Sequence, residues 1–333
     1  METILIVPII VSFFTALFFT PFWIKKAKQI ELIWEDMHKL GHPKNVAGSG
    51  GIIVLMSFVF GVLIYIAIKT FVLDTNAVTI EIFAMLTTML IAGLIGFVDD
   101  IFGWVRGGLS ARFRIILLIF AAVPMMVINA GESTLLGIDF GLFYPLIFIP
   151  LGIVGASATF NFLAGMNGLE TSQGILILSA LSLATWLSGS TWLSLICIIM
   201  IFCLAAFYIY NKYPSEVFPG DIMTYSVGAI IACVAILGNI EKIAIFFFLP
   251  YIMETFLKCR GNLKKESFVK INKDETLELP YEKIYGLTHL SLFILKKIKP
   301  SGKVYEKEVV YLINGFQIFI IILGFILFGG ELR

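Results

Sequence analysis

Long apolar runs without a single charge recur along this sequence, and they constrain its fold more than any other feature. A helix that crosses the roughly 30 Å hydrocarbon core of a bilayer needs about 20 such residues. The runs are continuous, whereas strands of a membrane β-barrel alternate apolar and polar residues over segments of about ten. Only 14% of the residues are charged, whereas a soluble domain usually has about 25%. The sequence therefore predicts an all-α polytopic membrane protein.

We count about ten candidate transmembrane spans in this pattern. Residues 171–211 carry no charge, but at about 1.5 Å per residue this stretch is roughly twice too long for one crossing. Gly189-Ser190 near its middle therefore predicts a tight turn between two helices. Glu254 interrupts the ninth run, which is the weakest of the ten. The predicted spans cover residues 3–24, 48–68, 82–98, 115–131, 140–160, 173–188, 191–210, 222–240, 243–257 and 309–330.

The distribution of lysine and arginine tests this count, because short cytoplasmic loops carry an excess of basic residues. With ten spans and both termini outside the cell, 21 of the 24 basic residues fall in loops predicted to be cytoplasmic. A missing span would exchange the two sides for every later loop, so this bias favours both the count and the orientation. The predicted cytoplasmic loops are 25–47, 99–114, 161–172, 211–221 and 258–308.

We expect a single integral membrane domain over residues 1–333. Its last cytoplasmic loop, 258–308, is the only one long enough for a small folded module. Two segments of this loop, 267–271 and 276–279, flank Asn272-Lys-Asp-Glu275, which predicts a β-hairpin before the last helix. The four cysteines have no paired spacing, and three of them lie within apolar runs, which favours buried side chains over a disulfide or a zinc site.

Polar residues at the ends of the spans are the most informative positions, because ionisable groups are costly inside a membrane. Three groups of them fall on the predicted cytoplasmic side. The first is Asp99-Asp100 at the end of the third span, where two carboxylates oppose the helix dipole and repel each other. They would be solvated at the start of a loop, or they would bind Mg²⁺ or act as a general base.

The second and third groups add amide and carboxylate oxygens on the same side. One leaves the fifth span as Asn161-Phe-Leu-Ala-Gly-Met-Asn167-Gly-Leu-Glu170, and the other opens the eighth span as Phe218-Pro-Gly-Asp221. A helix C-cap and an N-capping aspartate would account for each of them singly. Taken together, the three groups supply the hard oxygen ligands that suit Mg²⁺ and phosphates.

These three strings resemble the cytoplasmic motifs of the polyprenyl-phosphate N-acetylhexosamine-1-phosphate transferases. The string from Asn161 to Glu170 is the most specific of them, and it is similar to the dolichyl-phosphate branch that uses UDP-N-acetylglucosamine (UDP-GlcNAc) in eukaryotes and archaea. Motif order, motif spacing and ten spans with outside termini extend the resemblance over most of the chain. An archaeal origin fits a dolichyl-type string that is joined to an unusual last loop.

The resemblance implies roles for the matching acidic and amide residues. Asp99 and Asp100 correspond to the paired catalytic aspartates, and Asn161 and Asp221 correspond to ligands of Mg²⁺, with Mn²⁺ as an alternative. Asp100 would remove the proton from the lipid phosphate, which then attacks the β-phosphorus of the nucleotide sugar. A double displacement with an aspartate as the nucleophile stays open.

The resemblance also implies a nucleotide site. Asn167 and Phe218 match the pocket for the uracil ring, and Gly165 belongs to the same string. Asp36 and Met37, after the first span, resemble a nucleotide-contacting segment.

Basic residues are the least regular part of the match. Arg114 falls near the family's basic residue for the lipid phosphate, with Arg112 and Arg106 as competitors. The last loop lacks the three-histidine run of the bacterial muramoyl-pentapeptide transferases and the arginine- and histidine-rich stretch of the eukaryotic enzyme. Lys283 and His289 are the remaining candidates for contacts with the sugar and diphosphate.

The implied enzyme transfers GlcNAc-1-phosphate from UDP-GlcNAc to dolichyl or another polyprenyl phosphate, the first lipid-linked step of N-glycan assembly. It would lie among the lipids of the cell membrane with its active site on the cytoplasmic face, and a homodimer stays open. One alternative is an undecaprenyl-phosphate transferase of cell-wall synthesis, which acts on MurNAc-pentapeptide or another hexosamine. Another is a secondary transporter, although transporters usually contain repeated halves and we find no repeat. A net charge of +1 argues against nucleic-acid binding.

Overall fold

The computed structural model describes residues 3–135 and 137–332, but not the side chains of Arg106 and Leu135. The described chain is mostly helical, and three short two-stranded antiparallel sheets lie in its loops. The longer helices are α1 (Ile6–Gln29), α2 (Gly51–Phe71), α3 (Thr79–Arg106), α4 (Ala111–Val127), α5 (Ile149–Phe160), α6 (Leu169–Leu187), α7 (Thr191–Asn211), α8 (Gly220–Leu237), α10 (Leu249–Arg260), α11 (Leu287–Ile298) and α12 (Glu306–Phe328). The short α9 (Glu241–Phe247) precedes α10, and a π-helical turn, Tyr144–Phe148, leads into α5.

Within the described residues, six helical stretches are long and apolar enough to cross a membrane. They are Thr3–Gln29, Gly51–Phe71, Thr79–Val105, Thr191–Asn211, Gly220–Leu237 and Glu306–Leu332. This confirms a multi-pass helical membrane protein. Every predicted span contains helix, but the count of ten crossings and the outside termini stay predictions.

The long uncharged stretch is divided where the sequence predicts a turn. Helix α6 ends at Leu187 and α7 begins at Thr191, and Gly189 between them has a φ of +83°. Glycine adopts this left-handed conformation without the steric cost that a Cβ would add. The predicted pair of helices is therefore confirmed.

The ninth predicted span is broken into α9 and α10. Pro250 at the start of α10 cannot donate a backbone hydrogen bond. Near this break the Phe247 carbonyl accepts a hydrogen bond from Gln317 Nε2 at 2.9 Å. Glu254, which weakened this span in the sequence, is fully buried and accepts the Leu287 N–H at 2.5 Å. A carboxylate at a helix N-terminus is favourable, so Glu254 anchors α11 to α10.

Helix α8 is buried along nearly its whole length and packs against α3 and α5. Glycine permits both close approaches: a Cβ on Gly96 of α3 would overlap the Asp221 backbone, and one on Gly228 would overlap that of Ala156. Small residues allow membrane helices to pack at short range. This packing holds the start of α8 against the end of α3.

The loops at this end of the bundle carry the strands that shape the site. Strands β1 (Ile33–Glu35) and β2 (Lys44–Ala47) form a ribbon between α1 and α2, which the sequence analysis did not predict. The predicted hairpin is confirmed as β5 (Lys270–Ile271) and β6 (Leu277–Glu278), although its strands are shorter than expected. Helix α11 in the same loop was also missed, because its twelve residues are too few for a span. The remaining pair, β3 (Thr134–Leu135) and β4 (Ile138–Asp139), lies at the other end of the bundle.

Candidate active site

A cavity of about 530 Å³ lies at the end of the bundle where the three polar strings meet. Its walls come from the β1–β2 ribbon, the end of α3, the loop between α5 and α6, and the start of α8. Its lining includes Trp34, Met37, Ser49, Asp100, Asn161, Gly165, Glu170, Phe218, Asp221, Thr224 and Phe268. The structure thus brings together residues that are up to about two-thirds of the chain apart.

Backbone hydrogen bonds fix the string Phe218-Pro-Gly-Asp221 beside the ribbon. The Phe218 N–H donates to the Ala47 carbonyl at 2.8 Å, and the Gly50 N–H donates to the Phe218 carbonyl at 2.9 Å. Gly220 has a φ of +71°, and a Cβ there would overlap the Asp100 carboxylate. The Asp221 N–H then donates to Asp100 Oδ1 at 2.8 Å. Glycine is therefore needed at 220 for both its conformation and its lack of a side chain.

Two carboxylates lie next to one guanidinium here, and a third, Asp100, is adjacent in the sequence. Arg114 Nη1 lies 3.1 Å from Asp99 Oδ2 and 3.9 Å from Asp221 Oδ2. Asp99 also accepts the Leu109 N–H at 2.6 Å, and only 5% of its surface is exposed. Asp99 therefore orients Arg114 and the turn that precedes α4. With Asp100 adjacent, one positive charge faces three negative groups, so a cation would offset the remaining charge.

The oxygen atoms in this cavity fit a Mg²⁺ site in which the substrate phosphates supply the remaining ligands. Within residues 3–135 and 137–332, no three His, Cys or acidic side chains form a ready-made metal site. However, the Asp221 carboxylate lines the cavity, and Arg114 Nη1 lies 3.9 Å from its Oδ2, beyond hydrogen-bond distance. Asn161 Oδ1 accepts the Thr224 hydroxyl at 3.1 Å and keeps a second lone pair. Mg²⁺ is usually held by one or two carboxylates together with substrate phosphates, which these oxygens match.

The predicted nucleotide residues divide into two layers. Phe218, Gly165 and Met37 line the cavity. Asn167 and Asp36 lie behind this lining, with 4% and 1% of their surfaces exposed. The Asn167 carboxamide is already paired, because Oδ1 accepts the Ser215 N–H at 2.7 Å and Nδ2 donates to Glu306 Oε1 at 2.7 Å. Direct contact of Asn167 and Asp36 with a nucleotide stays a prediction.

The predicted basic residues whose side chains the structure describes, Arg114 included, lie outside the cavity lining. Arg112 is exposed on the first turn of α4, and Lys283 is exposed on the last loop. His289 is fully buried next to Tyr281, with 5.8 Å between the ring centroids. Burial lowers the pKa of His289, which favours the neutral ring. The side chain of Arg106 falls outside the described residues.

Sequence reasoning missed several residues that line the cavity. Glu170 was part of the quoted string, and its Oε1 accepts the Gly165 N–H at 2.7 Å, which holds the loop that faces the cavity. Thr224 lies one helical turn after Asp221, a spacing that could have identified it. Trp34 and Phe268 come from loop segments without a distinguishing pattern, so the sequence carried no signal for them.

Comparisons with known proteins identify a family and several relatives. A family model described as glycosyl transferase family 4 matches residues 82–239. A protein of Saccharolobus solfataricus, provisionally named as a UDP-N-acetylglucosamine–dolichyl-phosphate N-acetylglucosaminephosphotransferase, is 34% identical over 97% of this chain and 96% of its own. The enzyme of that name from Dictyostelium discoideum is 30% identical over 68% of this chain and 64% of its own. A phospho-N-acetylmuramoyl-pentapeptide-transferase of Shouchella clausii is 30% identical over 76% of this chain and 81% of its own.

Proposed function

Since the chain belongs to glycosyl transferase family 4, we propose that it transfers GlcNAc-1-phosphate from UDP-GlcNAc to dolichyl or another polyprenyl phosphate and releases UMP. The observation that carries this proposal is the meeting of Asp100, Asn161 and Asp221 in one cavity at the end of a membrane bundle. A lipid phosphate can reach such a site from the bilayer, and a nucleotide sugar can reach it from water. The near full-length relative of archaeal origin supports the dolichyl-type acceptor.

We further propose ten crossings, with this end of the bundle on the cytoplasmic face. The support is the predicted partition of basic residues, because 21 of 24 fall in loops at this end. Lys69 and Lys242, two of the three exceptions, lie at the other ends of α2 and α8–α9. The loop 258–308 would then cover the site from the cytoplasm.

In the proposed reaction the lipid phosphate oxygen attacks the β-phosphorus, and the bond between this phosphorus and the UMP oxygen breaks. Asp100 Oδ2, which is buried and free of hydrogen bonds from the described residues, would accept the proton of the lipid phosphate. Asp99 holds Arg114 within 3.9 Å of Asp221, which lines the cavity, and the guanidinium would bind the lipid phosphate there. Such a reaction depends mainly on positioning and charge neutralisation.

Asn161 and Asp221 would hold Mg²⁺ together with the substrate diphosphate, with Mn²⁺ as an alternative. The bound cation would offset charge on the diphosphate and stabilise the departing UMP. Phe218 would pack on the uracil ring, and Gly165 and Met37 would form the rest of the nucleotide wall. Lys283 and His289 stay candidates for the sugar, and the loop would have to move to bring either one closer.

The test is release of UMP by the purified protein in detergent. We expect UMP release to need UDP-GlcNAc, polyprenyl phosphate and Mg²⁺ together, and to stop with a chelator. The relative from Shouchella clausii supports one alternative donor, UDP-MurNAc-pentapeptide. Faster turnover of that donor with undecaprenyl phosphate would reject the dolichyl-type assignment.

A further inference from the structure

The loop that faces the cavity between α5 and α6 is fastened from behind by a residue of the last helix. Glu306 Oε1 accepts two hydrogen bonds from Asn167, one from the backbone N–H and one from Nδ2, each at 2.7 Å. These residues are 139 positions apart in the sequence, and both are nearly fully buried. The contact therefore joins the first turn of α12 to the loop, and no local turn geometry requires it.

The same loop is held at a second point, close to the Asn167–Glu306 contact. The Gly165 N–H donates to Glu170 Oε1 at 2.7 Å, and Gly165 and Met166 line the cavity. Only one residue, Met166, separates Gly165 from Asn167, where Glu306 makes its contact. A shift of the backbone at Asn167 must therefore pass to the cavity wall at Gly165 and Met166.

Other partners of Asn167 cannot replace Glu306. Asp36 lies 3.4 and 3.5 Å from Asn167 Nδ2, at the outer limit of a hydrogen bond, and its carboxylate is paired with Lys39 at 2.9 Å. The Ser215 N–H occupies the opposite, accepting end of the carboxamide. Only Glu306, among the described residues, accepts from both N–H groups of Asn167.

We propose that Glu306 is a positioning residue for the nucleotide. It fixes Asn167 and, through it, the cavity wall at Gly165. This inference rests on the proposed function, since it assumes that the cavity binds a uridine nucleotide. Without the carboxylate, two buried donors of Asn167 would lose their acceptor, and the loop would relax to pair them elsewhere. The cost would fall on the nucleotide side of the site and leave the lipid-phosphate side at Arg114 intact.

The test compares Glu306→Ala and Glu306→Gln with the matched control Glu308→Gln. Glu308 lies in the same turn of α12 but pairs with Lys299 at 2.7 Å at the surface. The measurements on purified enzyme are the affinity for UMP by calorimetry and separate KM values for UDP-GlcNAc and polyprenyl phosphate.

We expect Glu306→Ala to weaken UMP binding and to raise the KM for UDP-GlcNAc by about tenfold, as for a lost buried acceptor. The KM for polyprenyl phosphate should not change. Glu306→Gln should restore the affinity for UMP, because its amide oxygen can accept the same two bonds. Glu308→Gln should resemble the wild type.

Unchanged UMP affinity in Glu306→Ala, or an equal rise of both KM values, would overturn the proposal. If the alanine variant does not fold, Glu306→Asp takes its place, since a shorter carboxylate withdraws the acceptor but keeps the charge. UMP binding is measured without turnover, so it also separates the positioning role of Glu306 from the proposed transferase function. A wild type that binds UMP but does not use UDP-GlcNAc would reject the proposed function, and the comparison of variants would still decide the role of Glu306.

Discussion

The two ends of the helical bundle contain cavities of nearly equal size, about 530 Å³ at the candidate site and about 540 Å³ at the opposite end. Both are lined by acidic and amide side chains and by tryptophan, with Trp34 and Trp104 at the candidate site and Trp192 at the opposite end. The second cavity lies where α3 begins and α8 ends, and its polar residues are Glu81, Asn129, Glu132 and Asn239. Size and polarity alone therefore do not distinguish a site from a surface depression.

The asparagines at the two ends have different physical reasons for being there. Asn129 and Asn239 have φ values of +51° and +50°, a left-handed conformation that asparagine tolerates better than most residues. Asn239 Oδ1 also caps the Glu132 N–H at 2.8 Å. Asn161, in contrast, has ordinary helical geometry, with φ −72° and ψ −17°. No turn requires an amide at Asn161, so the amide is explained by the cavity that it faces.

The charges differ in the same way. At the opposite end, Glu132 is exposed and Glu81 is half-buried, so water can solvate both. At the candidate site, Asp99 is buried against Arg114, and a buried oxygen of Asp100 has no hydrogen bond from the described residues. Leaving a carboxylate oxygen in this condition costs stability. The comparison indicates that only the candidate site keeps a destabilising unpaired carboxylate oxygen, which a ligand would pair.

Substitution of Asp221 should have the largest effect on turnover and distinguish the two ends most clearly. We expect Asp221→Ala to lower the rate of UMP release at least about 100-fold, the usual loss when a group that stabilises transition-state charge is removed. The matched control is Glu132→Gln, which should retain wild-type turnover because its backbone still donates to Asn239. Wild-type turnover in Asp221→Ala at ordinary Mg²⁺ would contradict the metal assignment.

Neutralising Arg114 should have the next largest effect. Arg114→Gln removes the charge that faces Asp99 and Asp221, and we expect the KM for polyprenyl phosphate to rise by about tenfold or more. The KM for UDP-GlcNAc should rise much less. Lys242→Gln, which breaks an exposed pair with Glu331 at the opposite end, should change neither value.

An equal rise of both KM values in Arg114→Gln would indicate a general defect of the site. A larger rise for polyprenyl phosphate in Arg112→Gln than in Arg114→Gln would instead move the lipid-phosphate site to the exposed first turn of α4.

How much of the candidate site could be predicted from the sequence depends on the kind of contact. The meeting of Asp100 and Asp221 was predictable, because each marks the end of a predicted apolar span on the same side. The prediction that Asp100 ends its helix was wrong, since α3 continues to Arg106. The contact between Asn167 and Glu306 was not predictable, because a charge at the start of a helix is usually a favourable dipole partner in solvent. The β1–β2 ribbon was missed because each of its strands has at most four residues, too few for a periodic pattern.

Asn167 offers a smaller effect that tests whether the amide reads the base or supports the wall. We expect Asn167→Ala to weaken UMP binding by about 1–3 kcal/mol, the usual cost of unpaired buried partners, which here include Glu306 and the Ser215 N–H. UMP and CMP inhibition of the wild type and the variant are the measurements. Equal losses for both nucleotides would show support of the wall, whereas a narrowed preference for uridine would show that Asn167 reads the base.

The smallest expected effect is a loss of stability as the pH falls, which should start at the end of the bundle that contains the candidate site. Burial lowers the pKa of His38 to about 4, while nearby Asp36 and Gly165 oppose this shift. The unfolded chain, with a histidine pKa of about 6.5, therefore binds a proton first as the pH falls. Stability from the neutral His38 is complete above about pH 6.5 and is lost progressively down to about pH 4.

At about pH 5.5 this loss should be about 1.4 kcal/mol, one pH unit below the unfolded pKa. His38→Gln should remove that part of the pH dependence, whereas His42→Gln, in the same loop but exposed, should retain it. The measurements are the free energy of unfolding in mixed micelles and amide hydrogen exchange of the ribbon. Exchange should increase in residues 33–47 before it does in residues 129–133, because all three histidines of the chain lie at the site end. Earlier exchange at the opposite end would mean that burial of His38 does not set the acid limit of this fold.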